Sequence, residues 1–205
     1  YTLLVYLFMF LPVAVVVLLS FNASQFGSFP MTGFSFRWFV ELAGNDAILR
    51  AFQTSIVLGA LTALISTTLG VLASLALVRY EVPGRNLIST LLIAPILVPE
   101  VVLAVALLLF LNFLSINKSF FLLLMGHVIF TLPFVILVVQ ARLVGIRRDY
   151  EEAALSLGAS PVQAFFQITL PLLAPTTFFV VIVYFIGALQ MFVQVFVMTC
   201  ADSQT

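Results

Sequence analysis

Glu100 is the one carboxylate inside a long apolar run, at the end of Ala94-Pro95-Ile96-Leu97-Val98-Pro99-Glu100. His127 sits in another such run, and Gln190 and Gln194 lie four apart in a third, on one helical face. Buried carboxylates, imidazoles and amides can line a polar path, relay a proton or bind a cation. Each also has a plainer use. Glu100 is either a path residue or a protonated, hydrogen-bonded packing group. His127 reads as a hydrogen-bonded interhelical donor, and the glutamines read first as interhelical hydrogen-bonders. No second His, Cys or carboxylate stands at metal spacing beside His127, so no metal site is expected. An intramembrane hydrolase would need paired carboxylates or a nucleophile beside a base, and neither pair is evident. No Gly-rich run precedes a lysine, so the chain has no phosphate-cradling loop of its own, and neither enzyme activity nor a cofactor is expected.

A second cluster opens with a run of charged residues. It runs Arg147-Arg148-Asp149-Tyr150-Glu151-Glu152-Ala153-Ala154-Leu155-Ser156-Leu157-Gly158-Ala159-Ser160-Pro161. Asp149, Glu151 and Glu152 suit a helix N-terminus, where the dipole favours negative charge. Gly158 suits the left-handed position that ends a helix. Ser160-Pro161 reads as the N-cap and first residue of the next helix. The expectation is a helix-turn-helix that projects from the rest of the chain as a docking element for a soluble partner.

The elements that carry these residues follow from composition. The chain is 63% hydrophobic and 8% charged, with no net charge; its mean hydropathy is +1.27. A soluble domain of this size carries roughly 25% charged residues. Lipid must therefore solvate most of the surface, and nucleic acid is excluded as a partner. Long, continuously apolar runs mean helices rather than barrel strands. Five runs are long enough to span: Leu3–Phe21, Phe52–Val78, Leu87–Leu111, Phe120–Val144 and Thr176–Thr199. In the second, Gly59, Ala63, Thr67, Gly70 and Ser74 line one face with small groups, which reads as a close-packing face. In the third, Pro95 and Pro99 should kink or open the helix and leave Glu100 near mid-membrane, where an ionised carboxylate costs at least about 2.5 kcal/mol. Arg79, Arg85, Arg142, Arg147 and Arg148 outnumber Arg37, Arg50 and Lys118 on the opposite side. That excess places the first set, the N-terminus and the polar hairpin in the cytoplasm. The single cysteine, Cys200, gives no internal disulfide. The chain starts at Tyr1 without methionine and stops in a polar stretch, so it reads as a fragment.

The hairpin also resembles the EAA loop of permease subunits of type I ABC importers. The family pattern is Glu-Ala-Ala, three residues, Gly, nine residues, Ile, any residue, Leu-Pro. Glu152-Ala153-Ala154, Gly158, Ile168 and Leu170-Pro171 match every position and gap. Phe21-Asn22-Ala23-Ser24, Gly33-Phe34-Ser35-Phe36-Arg37-Trp38-Phe39, Gly126-His127, Pro133-Phe134 and Pro99-Glu100 resemble the spermidine/putrescine branch. Where that branch often has an acidic pair in its fifth span, this chain has Gln190 and Met191.

The resemblance implies one permease domain over 1–205, incomplete at its C-terminus, in an all-α, polytopic helix bundle. Five spans are visible and a sixth would follow Thr205. It also implies a coupling loop at about 145–171 that includes Glu151, in which Glu152 makes polar contacts to the ATPase, Ala153 and Ala154 pack in its cleft and Gly158 turns the chain. The resemblance favours Glu100 as a path residue, and Gln190 and Gln194 stand beside it as candidates read from their spacing. The expected partners are ATP-binding cassette ATPase subunits, a second permease subunit, a periplasmic binding protein and the lipid bilayer. The expected role is ATP-driven import across a bacterial inner membrane by alternating access, with a polyamine as the solute. The rival readings are an importer of ferric iron, a phosphonate or a sugar, and a transporter that works without ATP.

Overall fold

The computed structural model describes residues 1–25, 30–117, 119–191 and 195. Lys118, Gln194 and Cys200, used in the sequence reading, lie outside these. The described residues are helical apart from short connections and an isolated antiparallel bridge between Asn22 and Phe34. They divide into two compact units, Tyr1–Thr54 and Ser55–Thr205.

The first unit holds α1 (Thr2–Leu19), the short α2 (Arg37–Ala43) and the start of α3 (Asp46–Arg79). No side chain of α1 is buried. That is the expected state of an all-apolar helix whose solvent is lipid.

The second unit is a bundle around α3, α6 (Phe120–Gly145) and α9 (Leu170–Gln190). All five small residues of the α3 stripe are buried, as the sequence reading required of a packing face. Their lack of bulk lets the helices meet closely. A Cβ built on Gly70 would sit 2.9 Å from the Cβ of Val135 on α6, and one on Gly59 would sit 3.4 Å from the Phe185 ring on α9. Polar groups reinforce the same seam. The Ser66 and Thr131 hydroxyls lie 2.5 Å apart, and the Ser74 hydroxyl donates to the Ile136 carbonyl at 3.1 Å. Val71, Val135, Val139, Leu143, Ile146, Leu173 and Val180 form the main core, with a smaller one at Leu58, Leu124 and Val128.

Among the described residues, four helical stretches are long and apolar enough to cross a bilayer: Thr2–Leu19, Asp46–Arg79, Phe120–Gly145 and Pro161–Gln190. The fifth expected span is not one straight helix. Arg85–Leu97 and Glu100–Phe113 meet at 107°, a break rather than a kink. The cause is local. Neither Pro95 nor Pro99 can donate a backbone hydrogen bond; Ala94 before Pro95 stays helical (φ −49°, ψ −40°), whereas the residue before Pro99 is driven out of the helical region. α4 (Arg85–Ile93) accordingly tightens into a 3-10 turn over Ala94–Leu97. Val98 is then extended (φ −94°, ψ 129°), and α5 (Glu100–Phe113) starts afresh. The last span also differs from its expected start at Thr176. Its helix begins at Pro161 with α8 (Pro161–Ala164), passes through a π turn at Phe165–Thr169 and continues as α9. Pro171 cannot donate to the carbonyl four residues back, and the wider π turn just before it accommodates that missing bond.

Candidate functional site

The hairpin between α6 and α9 brings together most of the residues singled out by spacing. α7 (Asp149–Ser156) has Asp149, Glu151 and Glu152 in its first turn. It ends at Gly158, whose φ is +90°, a region that side-chain-bearing residues adopt only at a cost. Gly158 N–H donates to the Leu155 carbonyl and Ala159 N–H to the Ala154 carbonyl, each at 3.0 Å, which completes a Schellman end. The next helix opens with a reciprocal cap. Gln163 N–H donates to the Ser160 hydroxyl at 3.2 Å, and Ser160 N–H donates to the Gln163 side-chain oxygen at 2.8 Å. Glycine turn and Ser-Pro start thus fall where the sequence reading put them. The second helix, however, is not a separate projecting piece: it is the first turn of the last span.

The two acids face opposite ways. Glu152 points outward and pairs with Arg148 at 3.2 Å, both side chains more than 60% exposed. Arg147 and Asp149 form another exposed pair. Glu151 turns inward, where its Oε1 accepts from Arg79 Nε at 3.1 Å and from the Thr169 hydroxyl at 2.9 Å. Arg79 also donates to the Ile146 carbonyl at 2.9 Å. The Arg79 and Glu151 side chains are only 10% and 16% exposed. One clasp thus ties the end of α3 to the start of the hairpin, to α7 and to the π turn. The sequence places Glu151 with Asp149 and Glu152 in the acidic first turn of a helix. The partner of Glu151 lies 72 residues upstream, beyond the reach of a linear motif.

The long gap in the motif has a geometric reason. Ala153 on α7 and Ile168 and Pro171 beyond the turn line one open, apolar groove, together with Tyr150, Gln167 and Leu172. Ala154 is half-buried, Leu170 likewise, while Leu157, Val162 and Phe166 stand exposed around the hairpin. An apolar groove rimmed by charge suits a helix or cleft of a soluble partner.

The residues considered for a path are not brought together in the same way. Glu100 occupies the first turn of α5, directly at the 107° break, where free helix N–H groups favour a carboxylate. Gln190 is the last residue of α9 and is exposed. Neither side chain hydrogen-bonds or forms an ion pair among the described residues. His127 is fully buried, but its bond is within its own helix: Nδ1 donates to the Leu123 carbonyl at 2.9 Å. The interhelical bond expected of it is made one turn later, by Thr131 with Ser66. The reason is geometric, since a histidine in a helix can reach the carbonyl four residues back.

Comparisons with known proteins agree with this architecture. The profile of the family described as binding-protein-dependent transport system inner membrane component matches residues 66–199. The spermidine/putrescine transport system permease protein PotC of Escherichia coli (strain K12) is 36% identical over 171 residues, 83% of this chain and 64% of that protein. The PotC of Haemophilus influenzae is 35% identical over 83% of this chain and 66% of its own length. The putrescine transport system permease protein PotI of E. coli (strain K12) is 33% identical over 84% of this chain and 64% of that protein. The chain therefore spans somewhat less than two thirds of the length of these relatives. A solved bacterial ABC transporter involved in import of the acidic polysaccharide alginate shares the fold. It aligns with a TM-score of 0.69 over 93% of this chain and 71% of that chain, at 18% identity. With the profile covering well over half of the residues, this chain belongs to the binding-protein-dependent transport system inner membrane components, the multi-pass permeases of ABC importers.

Proposed function

We infer that the chain is the permease subunit of an ATP-driven importer whose solute is a polyamine. Residues 145–171 are the cytoplasmic coupling loop of its permease domain. The observation that carries this reading is the hairpin itself. Glu152 stands outward, the groove of Ala153, Ile168 and Pro171 lies open, and the Arg79–Glu151 clasp fixes both to a membrane span. A soluble ATPase that grips this hairpin moves α3 and α9 with it, since both are tied to the same clasp. Alternating access follows: closure of the ATPase pair turns the cavity outward to a periplasmic binding protein, and hydrolysis returns it inward. A second permease subunit completes the cavity, and Glu100 and Gln190 are the polar groups this chain offers to it. The polyamine assignment rests on the relatives, which are named for spermidine and putrescine. The basic excess beside the hairpin supports a cytoplasmic N-terminus.

Glu152→Ala tests coupling rather than folding, because an exposed ion pair contributes only about 0–1 kcal/mol. Cells expressing the full-length gene with its genomic neighbours should take up labelled spermidine or putrescine. Glu152→Ala at matched membrane levels should reduce that uptake to background. Undiminished uptake in the variant contradicts the coupling role. Absence of polyamine uptake with ATP hydrolysis intact contradicts the solute and redirects the search to iron, phosphonates and sugars.

A further inference from the structure

The loop between α1 and α3 (residues 20–45) is built on a polar hub and presents an aromatic face. Asn22 is 1% exposed, and its side-chain oxygen accepts from the Ser24 and Thr32 N–H groups and from the Thr32 hydroxyl, each at 3.2 Å. The Asn22 carbonyl accepts from Trp38 Nε1 at 2.8 Å. Ala23 N–H donates to the Gly33 carbonyl at 2.9 Å and Ser35 N–H to the Phe21 carbonyl at 2.8 Å, closing the small bridge. Around this hub four phenylalanines gather. Phe21 stacks on Phe34 with ring centres 4.9 Å apart, meets Phe36 edge-on at 5.4 Å and lies 5.2 Å from Phe39. Phe34, Phe36 and Phe39 remain 67%, 61% and 42% exposed, and Val40 and Leu42 of α2 extend the apolar face.

Three observations say what covers that face. The loop leaves α1 at Ser20 and enters α3 at Asp46, ahead of the apolar run that opens at Phe52, so it connects two long apolar helices on one side of the membrane. The backbone beside the ring cluster is hydrogen-bonded inside the loop, so the rings can reach the acyl boundary while the irregular backbone itself stays at the headgroup level. The flanking residues suit the water–lipid boundary: Arg37 lies over the Trp38 ring at 5.1 Å, and the Trp38 N–H is already bonded. We propose that residues 20–25 and 30–45 form a bilayer-interface anchor, in which Phe34, Phe36 and Phe39 enter the acyl boundary while Trp38 and Arg37 lie in the headgroup layer. The anchor holds the connection between two spans flat on the membrane. It depends neither on the transported solute nor on the ATPase.

Trp38 is the sole tryptophan of the 205 residues, so with any tryptophan beyond them replaced by phenylalanine its emission reports this loop alone. The full chain is reconstituted in vesicles of phosphatidylethanolamine and phosphatidylglycerol, with brominated lipid or with aqueous acrylamide as quencher. Lipid brominated close to the headgroups should remove most of the Trp38 emission, lipid brominated near the bilayer centre much less, and acrylamide little. Phe34→Ser with Phe36→Ser should shift quenching from the lipid to acrylamide at unchanged helicity. Should that variant fail to fold, the wild-type depth profile decides alone. Strong acrylamide quenching with no effect of brominated lipid would overturn the proposal and leave the face to a soluble protein. A wild-type depth profile that persists in the folded variant would overturn the role of the phenylalanines.

Discussion

Replacing Glu151 with alanine is expected to unseat the hairpin while leaving the spans in the membrane. Arg79 is 10% exposed, and in the variant it would keep the Ile146 carbonyl but lose its counter-charge. Removing one partner of a buried ion pair costs on the order of 3–5 kcal/mol, because the remaining charge is left desolvated. The Thr169 hydroxyl loses its acceptor at the same time, which adds about 1 kcal/mol. That sum exceeds what the exposed Arg148–Glu152 and Arg147–Asp149 pairs can supply, so local order should fail first between 146 and 169. Hydrogen exchange would show it as loss of protection over this segment, with the α6 core unchanged. Replacing both Arg79 and Glu151 by methionine should restore much of the protection, since a buried pair exchanged for apolar groups is often neutral. Protection equal to wild type in Glu151→Ala would mean that the clasp does not hold the hairpin.

Gly70→Val is expected to damage the bundle itself. The new Cβ would lie 2.9 Å from Val135 Cβ and 3.6 Å from the Ile136 backbone nitrogen, and Val135 is fully buried with no room to retreat. Overpacking of this kind costs typically about 1–3 kcal/mol. Here it must also pry apart two polar contacts one helical turn to either side, Ser66 with Thr131 and Ser74 with the Ile136 carbonyl, at about 1 kcal/mol each. Thermal unfolding in detergent should show a large drop for Gly70→Val and partial recovery when Val135→Ala is added. Gly59→Ala serves as the control, because its Cβ would meet Phe185 at an ordinary 3.4 Å. Equal stability of the Gly70 and Gly59 variants would contradict the close α3–α6 approach.

Local chemistry was the legible part of the sequence. The span expected at Phe120–Val144 is found at Phe120–Gly145, since an unbroken apolar run between a serine cap and a basic end leaves little choice. Gly158 and Ser160-Pro161 mark a turn because few other residues satisfy those backbone demands. The small-residue stripe was legible through its three-and-four spacing. Magnitude and long range were not. Two prolines announce an interruption, but the 107° angle depends on how α4 and α5 each pack on α6. The apolar run from Thr176 pointed to a late start for the last helix, and the π turn ahead of Pro171 leaves no mark of its own in the sequence. Arg79 looked like one more basic residue at a span end, and only the fold reveals it as the partner of Glu151. His127 was legible as buried, whereas the choice between its own carbonyls and a neighbouring helix was settled by rotamer and packing.

The central claim, that the 145–171 hairpin docks an ATPase subunit, is met most directly by crosslinking. A photoreactive residue placed at Leu157, which is 89% exposed, should form a bond with the ATP-binding subunit of the assembled complex. The yield should change between nucleotide-free and ATP-bound states. Crosslinks to lipid alone, from an intact complex that imports its solute, would contradict the account.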